Sequence, residues 1–353
     1  MDQTTLRIVD GLSRSLGMQL SINELTREIA RLHGKAYYAN VYNKLRRLSK
    51  EGTVALTRAG KSSLVSLNFG SYLTMDLLTE MELTRKHDLL KRRESLRLLL
   101  AGIGEQLKDF YLINSLCLIN PESNTSLNRA ELLILLQKGT DESKSDTEAI
   151  RKSLMNLQAL HNIRIDLLIL GKDEFLELLK AEERNPLKEM LSNKIAFSAP
   201  QSFWSVIKDG LERSGRIRFE REAIDPRKIP ERTLAYNLAR FGYKEMGTKI
   251  EREENVCIEL VVTSLLTGKD ARRIDAIPVI LAKDQANYNL LVFLCQKYNV
   301  SGRLLGLLRA LNRIRPEKRL QTAIDTLEAM EVREVRADPS SIRERLRLYN
   351  AIG

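Results

Sequence analysis

Residues 21–67 read SINELTREIARLHGKAYYANVYNKLRRLSKEGTVALTRAGKSSLVSL, and within them the hydrophobic spacing changes from that of helices to that of strands. The run opens on Ser21-Ile22-Asn23-Glu24, a serine N-cap with a glutamate at the third helical position. Leu25, Ile29, Ala30 and Leu32 follow at helical spacing until His33-Gly34 breaks the pattern. Another helix is expected from about Tyr37, with Val41, Leu45 and Leu48 on one face, ending at Glu51-Gly52. Beyond it, Thr53-Val54-Ala55-Leu56 and Leu64-Val65-Ser66-Leu67 alternate like strands around a turn containing Ala59-Gly60-Lys61-Ser62. Upstream, Leu6, Ile8, Val9, Leu12 and Leu16 predict one more helix, closed near Gly17. The first seventy residues therefore read as three short helices and a hairpin.

The same stretch is basic. Between Arg31 and Ser63 stand Arg31, Lys35, Lys44, Arg46, Arg47, Lys50, Arg58 and Lys61, against the single acid Glu51. In this order and with this charge, residues 1–70 resemble the winged helix-turn-helix family. The resemblance implies that the third helix enters a DNA major groove, which is wide enough for a helix, while the hairpin touches backbone or minor groove. It makes Lys35, Tyr38, Asn40, Asn43, Lys44, Arg46 and Arg47 the candidate contacts of the helix region, and Arg58 and Lys61 those of the hairpin tip. A winged helix that docks proteins is the alternative; an acidic third helix would favour it. His33 has no partner at metal-ligand spacing and reads as a helix-end residue.

Residues 71–110 read as a connector helix. Strands are then expected at Tyr111–Ile119, at Leu132–Leu136 and at Ile163–Leu170, with helices at Asp146–His161 and Lys172–Ala181. This order, with Ile165-Asp166-Leu167-Leu168-Ile169-Leu170, Asn185-Pro186-Leu187 and Phe203-Trp204 after it, resembles the small nucleotidyltransferase fold over about 111–207. That family holds phosphate on a Gly-Ser turn and two magnesium ions on an Asp-x-Asp pair and a third aspartate. Here Asn120-Pro121-Glu122-Ser123 stands at the phosphate turn, with no glycine and a proline that removes a donor. Arg129-Ala130-Glu131 stands where Asp-x-Asp would be, so only Glu131 and Asp166 remain, and a guanidinium among them repels metal ions. The pair also has the spacing of ordinary solvent-facing carboxylates at strand ends. The expectation is a vestigial, inactive site with no catalytic residue, no metal and no cofactor.

After Ser214-Gly215 the pattern becomes helical, with stretches at 232–241, 253–266, 271–282, 288–298, 301–313, 318–330 and 340–349 separated by breakers. Asp270 through Pro278 is expected to pack an apolar face and end or kink near the proline. From Lys297 to Arg319 a second cluster, Arg303, Arg309, Arg313, Arg315, Lys318 and Arg319, faces the lone acid Glu317. It reads as a second phosphate-facing patch, or as a solvated face whose arginines pair with carboxylates elsewhere in the bundle.

The whole chain has 353 residues and a net charge of +11. The excess lies at the two ends: 11 Lys and Arg against 5 Asp and Glu in residues 1–70, 19 against 22 in 71–212, and 27 against 19 in 213–353. Apolar runs are too short for a membrane span, and Met1-Asp2-Gln3 has no signal-peptide character, which places the protein in the cytoplasm. Cys117, Cys257 and Cys295 stand apart in apolar runs and read as core thiols. The fold class expected is α+β, mainly α: a winged helix at 1–70, a connector at 71–110, a small mixed-sheet nucleotidyltransferase-like domain at 111–212 and an α-helical bundle at 213–353. The function expected is non-enzymatic binding of double-stranded DNA, as a transcriptional regulator or nucleoid-associated factor. The alternatives are an RNA- or ribosome-associated adaptor and an active magnesium-dependent nucleotidyltransferase; RNA, and a protein partner through the helical or nucleotidyltransferase-like domain, are the further partners considered.

Overall fold

In the computed structural model the chain is mainly helical with two small sheets, and residues 2–121, 128–140, 143–244, 250–268 and 271–352 are described. It divides into two compact units, residues 1–180 with 187–223, and residues 181–186 with 224–353. Residues 1–70 and, apart from 181–186, residues 111–212, read from the sequence as separate domains, fall in the first.

The first unit begins with α1 (Gln3–Arg14), β1 (Leu20–Ser21), α2 (Ile22–His33), α3 (Tyr38–Lys50), β2 (Val54–Ala59) and β3 (Ser62–Leu67). The expected capping box is present: Ser21 and Glu24 exchange side-chain and backbone hydrogen bonds at the start of α2. The two-residue β1, which its length hid from periodicity, adds to the hairpin in the antiparallel order β1-β3-β2. Ile8, Leu12, Leu25, Ile29, Val41, Leu45, Val54 and Val65 close a core between helices and hairpin.

Residues 71–110 are two helices, α4 (Tyr72–Arg92) and α5 (Glu94–Leu107), and neither is a mere connector. Next come β4 (Ile113–Ile119), β5 (Arg129–Leu136), α6 (Lys144–His161), β6 (Arg164–Gly171), α7 (Lys172–Lys180), α8 (Pro186–Ser192), β7 (Lys194–Ser198) and α9 (Pro200–Ser214). The sheet order is β6-β5-β4-β7, with β5 and β6 parallel and the other pairs antiparallel. The edge strand β7 was absent from the sequence reading, since five residues give too little alternation to detect. Helices α5 and α6 cover one face through Leu99, Ile103, Ile150 and Leu154. On the other, α4 and α9 pack against the strands, and Phe203 and Trp204 are fully buried.

The segments that flank this sheet also grip the N-terminal elements. Gly17, at φ +74°, lets the chain after α1 approach the backbone at Ile217, whose carbonyl oxygen would lie 2.1 Å from any Cβ there. The Phe219 amide donates to the Leu16 carbonyl at 2.8 Å. Buried Asp10 accepts from Arg14 Nε at 2.9 Å and lies 2.9 Å from His33 Nε2 and 3.5 Å from Arg85, while Arg14 donates to Asn193 Oδ1 at 3.1 Å. Burial would raise the Asp10 carboxyl, but Arg85, His33 and Arg14 hold it well below the usual aspartate range.

The second unit holds α10 (Glu231–Arg240), α11 (Ile258–Thr267), α12 (Ala271–Ile274), α13 (Ala276–Lys283), α14 (Tyr288–Lys297), α15 (Ser301–Ile314), α16 (Lys318–Ala329) and α17 (Pro339–Leu348). The expected helix at 253–266 begins only at Ile258, because Val256 forms a bridge with Arg184. The stretch expected at 271–282 is split into α12 and α13, and Asp270 lies outside the described residues. Pro278 is the third residue of α13, where no intrahelical donor is needed, so it neither ends nor kinks the helix. Cys117, Cys257 and Cys295 are free and buried; burial pushes Cys117 and Cys295 up to about 12 and raises Cys257.

Residues 333–337 cross α15 at Gly302 and Gly306, where the Val335 amide donates to the Gly302 carbonyl at 2.9 Å. A Cβ at Gly306 would lie 1.9 Å from the Val335 carbonyl oxygen. Gly306→Ala must push backbone, and is expected to destabilise by at least about 1–3 kcal/mol. An unchanged melting temperature in thermal unfolding would show that this crossing is not tight.

Candidate nucleic-acid interface

Helix α3 turns Val41, Leu45 and Leu48 inward, which sets the remainder of its surface outward. Lys35 before it and Tyr38, Asn40, Asn43, Arg46, Arg47 and Lys50 on it are exposed. Arg58 and Lys61 stand exposed at the hairpin tip, where Arg58 Nε donates to the Gly60 carbonyl at 3.4 Å. The structure thus gathers most of the sequence candidates on one helix and one hairpin. Lys44 departs from them: it points to the flank, pairs with Asp2 and is only 18% exposed. Lys44 and Thr5 draw the Asp2 carboxyl down to about 2, overcoming the opposing effect of burial. Arg47 pairs with Glu51 at 2.9 Å while remaining largely exposed.

The sequence reading passed over two exposed aromatics beside these cations, Tyr37 and Tyr42. The Tyr38 and Tyr42 rings stack with centroids 6.0 Å apart and planes 15° from parallel, and the Arg46 guanidinium lies 5.9 Å from the Tyr42 centroid. The signal was present in the spacing of Tyr38, Tyr42 and Arg46, each four residues from the last on a polar face.

The second basic cluster is largely spent within its own unit. Arg303 donates to the carbonyls of Leu266 and Gly268, Arg309 pairs with Glu328 and Glu334, and Arg315 pairs with Glu317 and donates to the Ala282 carbonyl. Arg319 reaches Gln285 at 3.4 Å. Arg313 and Lys318 are exposed and form no ion pair among the described residues. The carboxylates that absorb Arg309 come from α16 and the segment after it, far enough in sequence to escape a local charge count.

Glu131 and Asp166 are brought side by side by the parallel register of β5 and β6, which also sets Arg129 beside Arg164. Neither carboxylate faces solvent, contrary to the alternative their spacing offered: Glu131 is 3% exposed and Asp166 0%. Asp166 is clasped by two guanidinium groups, Arg129 on Oδ2 and Arg164 on Oδ1 at 3.0 Å. Burial pushes its carboxyl above the ordinary aspartate range, and Arg129 and Arg164 oppose that shift. Asn120 donates its side-chain amide to Glu131 at 3.4 Å and its backbone N–H to the Asn193 carbonyl at 2.8 Å. At the expected phosphate turn, the Asn120 donor is therefore engaged and Pro121 has none; Glu122 and Ser123 lie outside the described residues.

Among the described residues no group of three His, Cys, Asp or Glu side chains could hold a metal ion, and no helix is long and apolar enough to cross a membrane. No protein-family model, curated protein or solved structure matches the chain.

Proposed function

We propose that the chain is a non-enzymatic DNA-binding protein whose residues 1–70 act as a winged helix, with α3 in the major groove and the β2-β3 hairpin on the backbone. A role in transcription or in nucleoid organisation follows from that reading. The observation that carries it is the outward face of α3, where Asn43, Arg46, Arg47 and Lys50 stand exposed with Glu51 as the one acid among residues 31–63. A polyanion meets these charges without displacing any buried pair. Lys35, Asn40, Arg58 and Lys61 extend the surface, and Arg313 and Lys318 are what remains of the C-terminal patch as phosphate contacts.

The middle sheet supports the non-enzymatic reading. Asp166, the aspartate left at the positions that resemble a nucleotidyltransferase site, is buried and already has a guanidinium on each oxygen. Two-metal phosphoryl transfer needs several oxygen ligands converging on two ions.

Duplex binding is expected to weaken steeply with salt. In the Arg46→Ala/Arg47→Ala/Lys50→Ala variant the slope of log K against log salt should become shallower by about two to three, each phosphate contact contributing about 0.9. An unchanged slope, measured by titration of labelled duplex at several salt concentrations, would remove α3 from the interface.

A further inference from the structure

The described residues leave twelve large apolar side chains exposed, and three of these, Tyr37, Tyr38 and Tyr42, cluster at the start of α3. Tyr37 is 64% exposed, so the cluster is not an incidental edge of the core. Tyr38, Tyr42 and Arg46 follow one another at four-residue intervals, which places two nearly parallel rings and a guanidinium along one stripe of the helix. Lys35, Asn43, Arg47 and Lys50 surround that stripe, and the nearby acid, Glu51, is taken by Arg47.

A partner that covers this surface must be anionic and must offer flat π-faces. Nucleic acid does both, but an intact duplex presents only base edges in its grooves, because the base faces are stacked on one another. Ring faces gain a partner only when a base leaves the stack. We infer that Tyr38, Tyr42 and Arg46, with Tyr37 at the rim, form a stacking platform for an unpaired nucleobase. The chain accordingly binds DNA most tightly where a duplex contains unpaired nucleotides. This rests on the DNA-binding reading of α3 and adds the kind of site that the helix selects.

The test uses the full chain and two DNA duplexes of matched length, one fully paired and one with a two-nucleotide bulge carrying 2-aminopurine, beside an RNA duplex with the same bulge. The bulged DNA should bind about tenfold more tightly than the paired duplex, from the usual contribution of stacking one base. Wild-type protein should quench the 2-aminopurine fluorescence, a readout that needs no variant. Both effects should vanish in Tyr38→Ala/Tyr42→Ala and persist in Tyr38→Phe/Tyr42→Phe, since the phenyl ring keeps the π-face. Equal affinity for paired and bulged DNA without quenching overturns the platform, while paired-duplex binding that weakens in the Arg46/Arg47/Lys50 variant still upholds the DNA reading. Binding of the RNA bulge alone overturns the DNA reading and leaves the platform standing. No binding to any of the three overturns both.

Discussion

Replacing Glu82 by alanine is expected to destabilise the first unit by about 3–5 kcal/mol, the usual cost of leaving one partner of a buried ion pair alone. Glu82 in α4 is 0% exposed and pairs with Lys194 in β7, itself 2% exposed. The other Glu82 oxygen accepts the Ala196 amide at 3.0 Å, so one side chain ties the helix to the edge strand twice. The Lys194 ammonium lies 4.3 Å from the Trp204 ring centroid and 4.7 Å from that of Phe203. Burial lowers the Lys194 pKa even with Glu82 beside it. Without Glu82 the proton becomes costlier to keep. The folded state then binds fewer protons than the unfolded one, so the variant's deficit should shrink as pH rises toward the ordinary lysine range. Urea unfolding followed by Trp204 fluorescence measures both effects. A Glu82→Leu/Lys194→Met variant should recover most of the loss, and a cost below about 1 kcal/mol for Glu82→Ala would show that the pair is not what joins α4 to the sheet.

Glu259 is expected to give the second unit a pH-dependent stability. It lies buried in the first turn of α11 and accepts the Asn287 amide at the start of α14. Burial pushes its carboxyl up to about 7, with Glu183 adding in the same direction and the Asn287 amide opposing. An unfolded glutamate ionises near its ordinary value of 4.5. Below that value both states are protonated and stability is whole. As pH rises toward 7 the folded state retains a proton that the unfolded state has lost, so stability falls, by about 3 kcal/mol once pH exceeds both values. Glu259→Gln keeps the acceptor and carries no charge, so it should flatten this dependence and exceed the wild type above about pH 7. Amide hydrogen exchange in α11 and α14, at about pH 5 and about pH 8, reads the difference. A wild type equally protected at both would refute the assignment.

Helices and hairpin were legible because each carries a long signal. The capping box of α2, the apolar stripe of α3 and the alternation of β2 and β3 all act within a dozen residues. The partners of charged side chains were not legible, because they are set by tertiary contact. Lys44 is taken by Asp2, Arg309 by Glu328 and Glu334, and Asp166 by Arg129 through a register that pairs residues 35 apart in sequence. Glu82 fell inside a stretch read as a connector, where charge suggests solvent; only the packing of α4 reveals that it is buried. Tyr37 and Tyr42 were visible as letters, yet whether an aromatic on a helix is core or surface depends on which face the neighbours claim.

The grip on the N-terminal elements bears on how the molecule could be divided. A chain cut after residue 70 would keep the whole α1-to-β3 core and still take from Asp10 its Arg85, from Arg14 its Asn193 and from Gly17 the backbone at Ile217. The excised piece would face water with a half-compensated carboxylate and an open seam where it now has a wall. Transplanting residues 1–70 onto another scaffold therefore means carrying the seam with them.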